Sequence, residues 1–386
     1  PLIIVSLTDC SSFTKLLFTN YLKLEQMSAK ISINKTSVSS LSKLDFDNIP
    51  FGKVFTDHMY LADYENGEWK DFRIVPVDFM PTHPGNLAWH YGQAIFEGMK
   101  ATRDADGNAL LFRPEQHSIR LNESAHRMCM PELPEDIFLD AVHTLVNLEK
   151  NWIPQQEGSA LYIRPLMYAT DATIGVRPSD TYRFLIFCMP VGPYYPKPVS
   201  LLVSREYVRA VKGGVGEAKT AGNYAASLYP ALLAKKQGYD QMMWVDAIEH
   251  KWVQEVGTMN IFFKINGEII TPATDGAILK GITRKSVIDI FRDHGYTVTE
   301  RPISIDEVEE AYEKGILEEV FGSGTAAVIS EVERIKVDDK IIHLDASKFV
   351  ASKFAKNTIN QLRIRKIEDK FNWLVVAEDR SVPVTA

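Results

Sequence analysis

Lys219 stands in the stretch Lys212-Gly213-Gly214-Val215-Gly216-Glu217-Ala218-Lys219-Thr220-Ala221-Gly222-Asn223-Tyr224, where three glycines precede it and a fourth follows. Glycine frees the backbone for positive φ and lets it pass close to a ligand. A lysine amine is a poor nucleophile while protonated, its free pKa being about 10.4, but in a desolvated pocket it condenses with an aldehyde to a Schiff base. The same residues nearly spell a phosphate loop. Gly213-x-x-x-x-Ala218-Lys219-Thr220 misses the pattern by one glycine, and Met242-Met243-Trp244-Val245-Asp246 is an apolar run ending in an aspartate suited to magnesium. The missing glycine is the one that lets such a loop wrap a β-phosphate, and the preceding Tyr207–Val211 run is too polar for a buried strand. A solvated lysine beside an ordinary glycine turn is the remaining reading.

Two further stretches bear on the choice. Glu255-Val256-Gly257-Thr258-Met259-Asn260 sets one carboxylate among apolar strand residues, and a buried carboxylate needs a cationic partner. A protonated pyridine nitrogen would be one such partner; a nearby lysine or arginine would be another. Phe321-Gly322-Ser323-Gly324-Thr325-Ala326 is a turn whose successive N–H groups could cradle a phosphate or carboxylate, although a plain tight turn uses the same residues. Metal chemistry is disfavoured, because there is no His-Glu-x-x-His and His83 and His90 stand seven apart in a Pro/Gly-containing segment. Gly-x-Ser-x-Gly is absent too.

The chain has 386 residues, 45% hydrophobic, a net charge of −7, and acids and bases interspersed. That length suggests two domains, and the charge pattern argues against nucleic acid or an anionic membrane as partner. Three scattered cysteines, Cys10, Cys129 and Cys188, fit no disulfide framework and suit a reducing cytoplasm. No apolar run reaches the ~20 residues of a membrane span, so a soluble protein is expected. Residues 1–26 match no element of the remaining chain and precede Met27; they are expected to be a flexible, dispensable extension.

The elements that must position these residues form an α+β mixture without strict βαβ alternation. Strands are expected at Lys53–Leu61 and Trp69–Val75 around an Asn66-Gly67 turn, at Met99–Thr102, Ala109–Phe112, Ala160–Ala169 and Tyr182–Pro190. Helices are expected at 86–95, at Pro114–Arg127 with Ile119, Ala125 and Met128 inward and Arg120 at the edge of that face, and at Pro134–Trp152. Residues 190–198 hold four prolines and mark a linker between a small domain at 51–189, preceded by an extension at 1–50, and a large domain at 199–386. Beyond it come strands at Val199–Val203 and Gln241–Asp246, a helix at Tyr224–Gln237, a hairpin on Asn266-Gly267, a helix at Thr283–His294, a Ser304-x-x-Glu307 capping box, and a C-terminal helix from Ser347.

The lysine, Gly-Asn-Tyr, Glu-Val-Gly-Thr-Met-Asn and Gly-Ser-Gly-Thr-Ala in this order resemble the branched-chain amino-acid aminotransferases, pyridoxal-phosphate enzymes of fold type IV. The likeness runs from about Phe51 to the C-terminal helix and includes Phe51-Gly52-x-x-Phe55-Thr56-Asp57-His58-Met59, His90-Tyr91, Phe96-Glu97-Gly98-Met99-Lys100, Leu161-Tyr162-Ile163-Arg164-Pro165 and Lys212-Gly213-Gly214. It implies a two-domain fold like that of the D-amino-acid aminotransferases and a cytoplasmic homodimer. The implied reaction is transamination of leucine, isoleucine and valine with 2-oxoglutarate.

Residue by residue, the resemblance implies that Lys219 carries the cofactor, that Glu255 meets its pyridine nitrogen and that Tyr224 meets its phenolic oxygen. Arg120, Thr325 and the backbone of Ile282 and Thr283 would hold its phosphate, Arg120 as a permanent forked charge. Substrate would meet Thr258, the backbone of Thr325-Ala326, the hydroxyl of Tyr162, and an apolar pocket of Phe51, Tyr91, Phe96 and Tyr194. Ile174 and Val176 would reach in from a second subunit, and Arg164 would take the distal carboxylate of glutamate. Relatives of the same fold type with other chemistry, D-amino-acid transaminases and aminodeoxychorismate lyases, share the lysine and glutamate but are shorter. One departure is visible: mammalian members carry a Cys-x-x-Cys pair after Gly-Ser-Gly-Thr-Ala, where this chain has Ala327 and Ser330.

Overall fold

Asn66 and Gly67 take φ values of 56° and 87°, the positive pair a two-residue hairpin turn demands, and they join the strands His58–Glu65 and Glu68–Pro76. A computed structural model describes residues 30–193 and 197–381; the extension expected at 1–26 and Tyr194 lie outside them. The first strand starts at His58, not Lys53, because the preceding backbone is held elsewhere. Thr56 N–H donates to the Cys188 carbonyl, and the Asp57 carboxylate accepts from Ser39 and Ser40.

Two nine-stranded sheets carry the fold. In the first, the order is Ser32–Ile33, Glu68–Pro76, His58–Glu65, Tyr182–Val191, Ala160–Ala169, Met99–Arg103, Ala109–Phe112 and Leu374–Val376, with Ala94–Phe96 paired to Ala160–Ala169. The second runs Val253–Val256, Gln241–Val245, Val199–Ser204, Val328–Val337, Leu317–Gly324, Asn260–Ile265, Glu268–Thr271 and Val298–Glu300, with Lys340–His343 on Val328–Val337. The C-terminal strand Leu374–Val376 pairs antiparallel with Ala109–Phe112 of the first sheet. The last strand among the described residues therefore belongs to the first sheet and not to a large unit running unbroken over 199–386.

The helices Pro114–Arg127 and Glu135–Leu148 cover the first sheet with Leu121, Ala125, Phe138, Ala141, Val142, Leu145 and Val146. Ile119 is 46% exposed, against expectation. The buried positions Pro114, His117, Ser118, Leu121, Ser124 and Ala125 define a helical stripe that places residue 119 on the opposite side. Arg120 is only 5% exposed, drawn inward by the buried carboxylate of Glu97. The helix expected over 86–95 stops at Tyr91, where Gly92 takes φ 67° and caps it, and Ala94–Phe96 is a strand.

In the second half a helix spans Ala221–Lys236, starting before Tyr224, and Ser304 caps Ile305–Glu313 through a 3.0 Å bond from Glu307 N–H. The Glu307 side chain completes no reciprocal box; it pairs with Arg301 at 2.5 Å. The C-terminal helix is Ala351–Arg363, not a run from Ser347. Its start is set by buried Glu319, whose carboxylate accepts from the N–H groups of Val350, Ala351 and Ser352 at 2.8–2.9 Å, an anionic cap at the positive end of the helix. That helix and Ile282–Asp293 pack on the second sheet through Ala355, Ile359, Leu362, Phe291 and the stacked rings of Phe262 and Phe321. Each such large apolar side chain contributes about 1.5–3 kcal/mol when fully buried.

Candidate active site

Lys219 lies where the first sheet meets the start of the helix Ala221–Lys236, and its backbone is fixed by the first half of the chain. Its N–H donates to Ser124 Oγ at 3.0 Å, and its carbonyl accepts from Phe96 N–H at 3.0 Å. Thr220 Oγ1 donates to the Ala94 carbonyl at 2.9 Å, while Asn223 Nδ2 ties the turn through the carbonyls of Val215 and Ala218. The amine is left uncommitted: among the described residues it forms no ion pair, and its Nζ donates to Tyr224 Oη at 2.9 Å. The rings of Phe96 and Tyr224, 4.8 Å apart, wall it, with Nζ 4.9 Å from the Phe96 centroid.

Glu255, 3% exposed, faces this region from the second sheet. Its Oε1 accepts from Leu279 N–H at 2.7 Å and from Asn260 Nδ2 at 3.3 Å. Arg209 Nε lies 3.0 Å from Oε2, though its N–H is not aligned on that oxygen and stays without an acceptor. Burial raises the Glu255 carboxyl above its usual range and Arg209 opposes this, with smaller contributions from Lys219 and Arg120. The glutamate therefore has an arginine partner and also faces the lysine.

Arg120 does not present a free fork. Its Nε and Nη2 clasp Glu97 at 2.7 and 2.8 Å, and its Nη1 donates to the Lys280 carbonyl at 3.2 Å. His117 Nδ1 completes the cluster 2.7 Å from Glu97. Burial pushes the Glu97 carboxyl upward, but Arg120 and His117 outweigh it and hold the group far below the usual range. Segment 279–283 joins the two clusters. Leu279 is bound by Glu255 and Asn260, Lys280 by Arg120, and Gly281 opens the helix Ile282–Asp293 with no side chain capping it. A Cβ at Gly281 would sit 1.9 Å from Asn260 Oδ1. The free N–H groups at this helix start, beside Arg120, make an anion site.

Arg164 Nη2 donates to Tyr162 Oη at 3.0 Å, and its guanidinium lies 4.6 Å over the Phe96 ring. Arg164 forms no ion pair among the described residues, and its Nε is buried without an acceptor. Tyr162 stands so close to Gly98 that a Cβ there would lie 2.2 Å from its hydroxyl. Phe51 meets Tyr162 edge-on at 6.2 Å. Lys100 Nζ donates to the Ala326 carbonyl at 2.7 Å, so the Thr325-Ala326 turn is tied to this face of the first sheet. Phe51 and Tyr91 remain 45% and 44% exposed, Thr258 is exposed, and Ile174 and Val176 point outward at 58% and 90%. Among the described residues, these five are the expected site residues that the chain leaves exposed.

The phosphate-loop reading loses its second element. The Asp246 carboxylate accepts from the N–H groups of Ile248, Glu249, Lys251 and Trp252 at 2.7–3.0 Å. Burial pulls its pKa up, but the four amides hold it at about 2. It organises its own loop and has little capacity left for magnesium.

The family model of class IV aminotransferases matches residues 94–335. Branched-chain-amino-acid transaminase 1 of Bacillus subtilis (strain 168) is 48% identical over 352 residues, covering 90% of this chain and 99% of the relative. The chain belongs to the class IV aminotransferases. Among solved structures, the Escherichia coli branched-chain amino acid aminotransferase is similar with a TM-score of 0.70 and 26% identity over 83% of this chain and 99% of that one. The T.th. branched-chain amino acid aminotransferase, solved with pyridoxamine 5′-phosphate, has a TM-score of 0.66 and 26% identity over 82% and 98%. Class IV aminotransferases use pyridoxal 5′-phosphate, and the donor set here fits that group: an unpaired amine, a buried carboxylate, a phenol beside the amine, and an uncapped helix start next to an arginine.

Sequence reasoning about this aminotransferase assigned no role to Glu97, His117, Lys100 or Arg209. Glu97 carried the same signal as Glu255, a carboxylate among apolar residues that requires a cation. Arg209 carried none. Removing the Glu97 charge leaves Arg120 and His117 buried without their anion, with only the amide oxygen of glutamine and the Lys280 carbonyl as acceptors, and Glu97→Gln is expected to lose about 3–5 kcal/mol. Because the folded pKa lies below its ordinary value of 4.5, this stability is complete above that value and declines as pH falls toward the folded one. Urea unfolding of wild type and variant should give a constant difference from about pH 7 to 5 that shrinks below. Equal stability at neutral pH would remove the cluster's structural role.

Proposed function

We propose that this chain is a branched-chain-amino-acid transaminase that moves the amino group of leucine, isoleucine or valine to 2-oxoglutarate, giving the branched 2-oxo acid and L-glutamate. The observation that carries this reading is the uncommitted amine of Lys219, 2.9 Å from Tyr224 Oη and within electrostatic reach of buried Glu255. When bound, pyridoxal phosphate supplies a carbonyl for the amino group and an electron sink for the α-carbon.

Lys219 is the residue that would carry the cofactor and, once released, take the α-proton and return it. Its tethers to Ser124 and Phe96 aim the amine while leaving Nζ free. Glu255, whose charge Arg209 and Leu279 N–H favour against burial, would hold the pyridine nitrogen protonated. Tyr224 would meet the phenolic oxygen. The phosphate would be held by the N–H groups of Ile282 and Thr283 and by Thr325, with Arg120 contributing the edge that Glu97 leaves free. The backbone of Thr325-Ala326 and the Tyr162 hydroxyl would orient the substrate carboxylate. Phe51, Tyr91, Phe96, Tyr194 and Thr258 would shape the side-chain pocket, and Arg164 would receive the distal carboxylate of glutamate. Ile174 and Val176 of a second copy would close it, so the working form is a homodimer, placed in the cytoplasm by the scarcity of cysteine. Its partners are amino acids and 2-oxo acids rather than nucleic acid or membrane.

Purified protein assayed with a panel of L- and D-amino acids, read by glutamate formed from 2-oxoglutarate, tests this. Turnover should be confined to leucine, isoleucine and valine, and faster turnover of a D-amino acid would sink the substrate assignment. Peroxide gives a second check. Neither Ala327 nor Ser330 can form a disulfide, and Cys188 is buried, its thiol pushed well above the usual range by burial and then by Glu149. Oxidation should reach exposed Cys129 and leave activity nearly unchanged; rapid loss reversed by a dithiol would contradict this.

A further inference from the structure

Apart from the active site, a cavity of about 730 Å³ lies where the turn 104–107, the loop 154–159 and the end of the helix Ala351–Arg363 come together. Lys100, Thr102, Val328, Asn360 and Arg363 are among its walls. Two of these are buried cations that no anion among the described residues pairs with. Arg363 is 5% exposed, its Nε has no acceptor, and its guanidinium makes no ion pair or hydrogen bond among the described residues. The head is held 4.7 Å over the Phe112 ring, while Thr102 Oγ1 bonds its carbonyl and fixes the backbone. Lys100 is also 5% exposed, and its one hydrogen bond goes to the Ala326 carbonyl. Burial pushes Arg363 down to about 10 and Lys100 down to about 7, the latter with help from Arg363 itself.

The acids nearby are otherwise engaged. Asp104 is spent on Asn108 and on Arg365 at 3.3 Å, while Asp106 and Glu157 sit exposed at the rim. Burying a cation without an anion is costly, and two of them facing one space of ligand size describe a site made for an anion. A guanidinium matches a carboxylate in a paired geometry, and an ammonium on the wall of the same cavity suits a second one.

We propose that this cavity binds a small dicarboxylate between Arg363 and Lys100, and that its occupancy is coupled to the substrate pocket through the bond from Lys100 to Ala326. An ammonium has three donors, so Lys100 can take a carboxylate and keep Ala326. Binding fixes the ammonium in its charged form and with it the position of the Thr325-Ala326 turn. The active-site lysine and its cradle are not part of this cavity, so the site stands whether or not the assigned substrate is right.

Calorimetric titration of succinate into the full-chain holoenzyme tests the proposal. Wild type should bind saturably. Arg363→Gln should bind at least tenfold more weakly, and Asn360→Asp, which adds a competing carboxylate at a half-buried wall position and leaves both cations in place, should weaken binding as well. Arg164→Gln, which weakens only dicarboxylate binding in the substrate pocket, should keep the binding event that Arg363→Gln loses. Saturating succinate should change the KM for leucine in wild type and not in Arg363→Gln. Several results would overturn the proposal: no saturable binding by wild type; binding lost in Arg164→Gln but kept in both cavity variants, which would put the ligand in the substrate pocket; or binding that leaves the leucine KM untouched, which would remove the coupling. Inorganic phosphate, titrated in parallel, should bind far more weakly; equal affinity would overturn the dicarboxylate class.

Discussion

Lys219→Ala is expected to lower turnover by at least ~10³-fold, since a positioned acid–base group contributes about 10²–10⁴-fold and the same amine also carries the cofactor. The variant should fold. Lys219 is held by backbone bonds to Ser124 and Phe96, which alanine retains, and its amine makes a single hydrogen bond, to Tyr224. Purified wild type should be yellow and the variant should lose that covalent colour while keeping its melting temperature within a few degrees. Lys212, exposed on the turn before it, serves as the control. Wild-type colour and rate in Lys219→Ala together with their loss in Lys212→Ala would make the assignment wrong. Magnesium-dependent ATP hydrolysis would return the phosphate loop to consideration.

Arg164→Met is expected to separate the two substrates of the reaction. The pocket around Phe96 and Tyr162 is aromatic and suits a branched apolar chain, yet the second half of the reaction must admit a carboxylate. Carboxylate burial without a cation is costly. Arg164 offers this pocket a guanidinium: it lies over Phe96 and 5.2 Å from the Tyr162 ring centroid, with no carboxylate partner among the described residues and with Nε unsatisfied. Stacked on the rings, it leaves the apolar surface available to leucine; turned toward a distal carboxylate, it neutralises glutamate. Its loss should cost glutamate and 2-oxoglutarate about 2–5 kcal/mol, a factor of about 30 to several thousand at 1.4 kcal/mol per decade, and leucine much less. Single-turnover half-reactions with each amino acid measure this directly. Equal losses would mean that Arg164 organises the whole site through Tyr162 or binds the α-carboxylate.

The amino-acid sequence by itself determined what is local. The Asn-Gly turns and the Ser304 cap stand where residue type places them, and the helix expected over Pro134–Trp152 forms over Glu135–Leu148, because positive φ, capping and helical spacing are decided within a few residues. The order of lysine, glutamate and Gly-Ser-Gly-Thr motifs likewise identified the family. Ile119 shows the limit of this reading: Ala125 and Met128 pack inward as expected, but Ile119 faces outward, and Glu97 drew Arg120 in. Tertiary structure alone decided how charge is distributed. Glu97 takes the fork of an arginine 23 residues away, and Arg209 reaches Glu255 from the far side of the lysine turn. Lys100 bonds a carbonyl 226 residues distant, and Arg363 is left without an ion-pair partner among the described residues. Such pairs depend on which strands neighbour one another and where the chain crosses between the sheets. A side chain's charge acts over a few ångströms of space, whereas the patterns legible in a sequence extend over a few residues of chain.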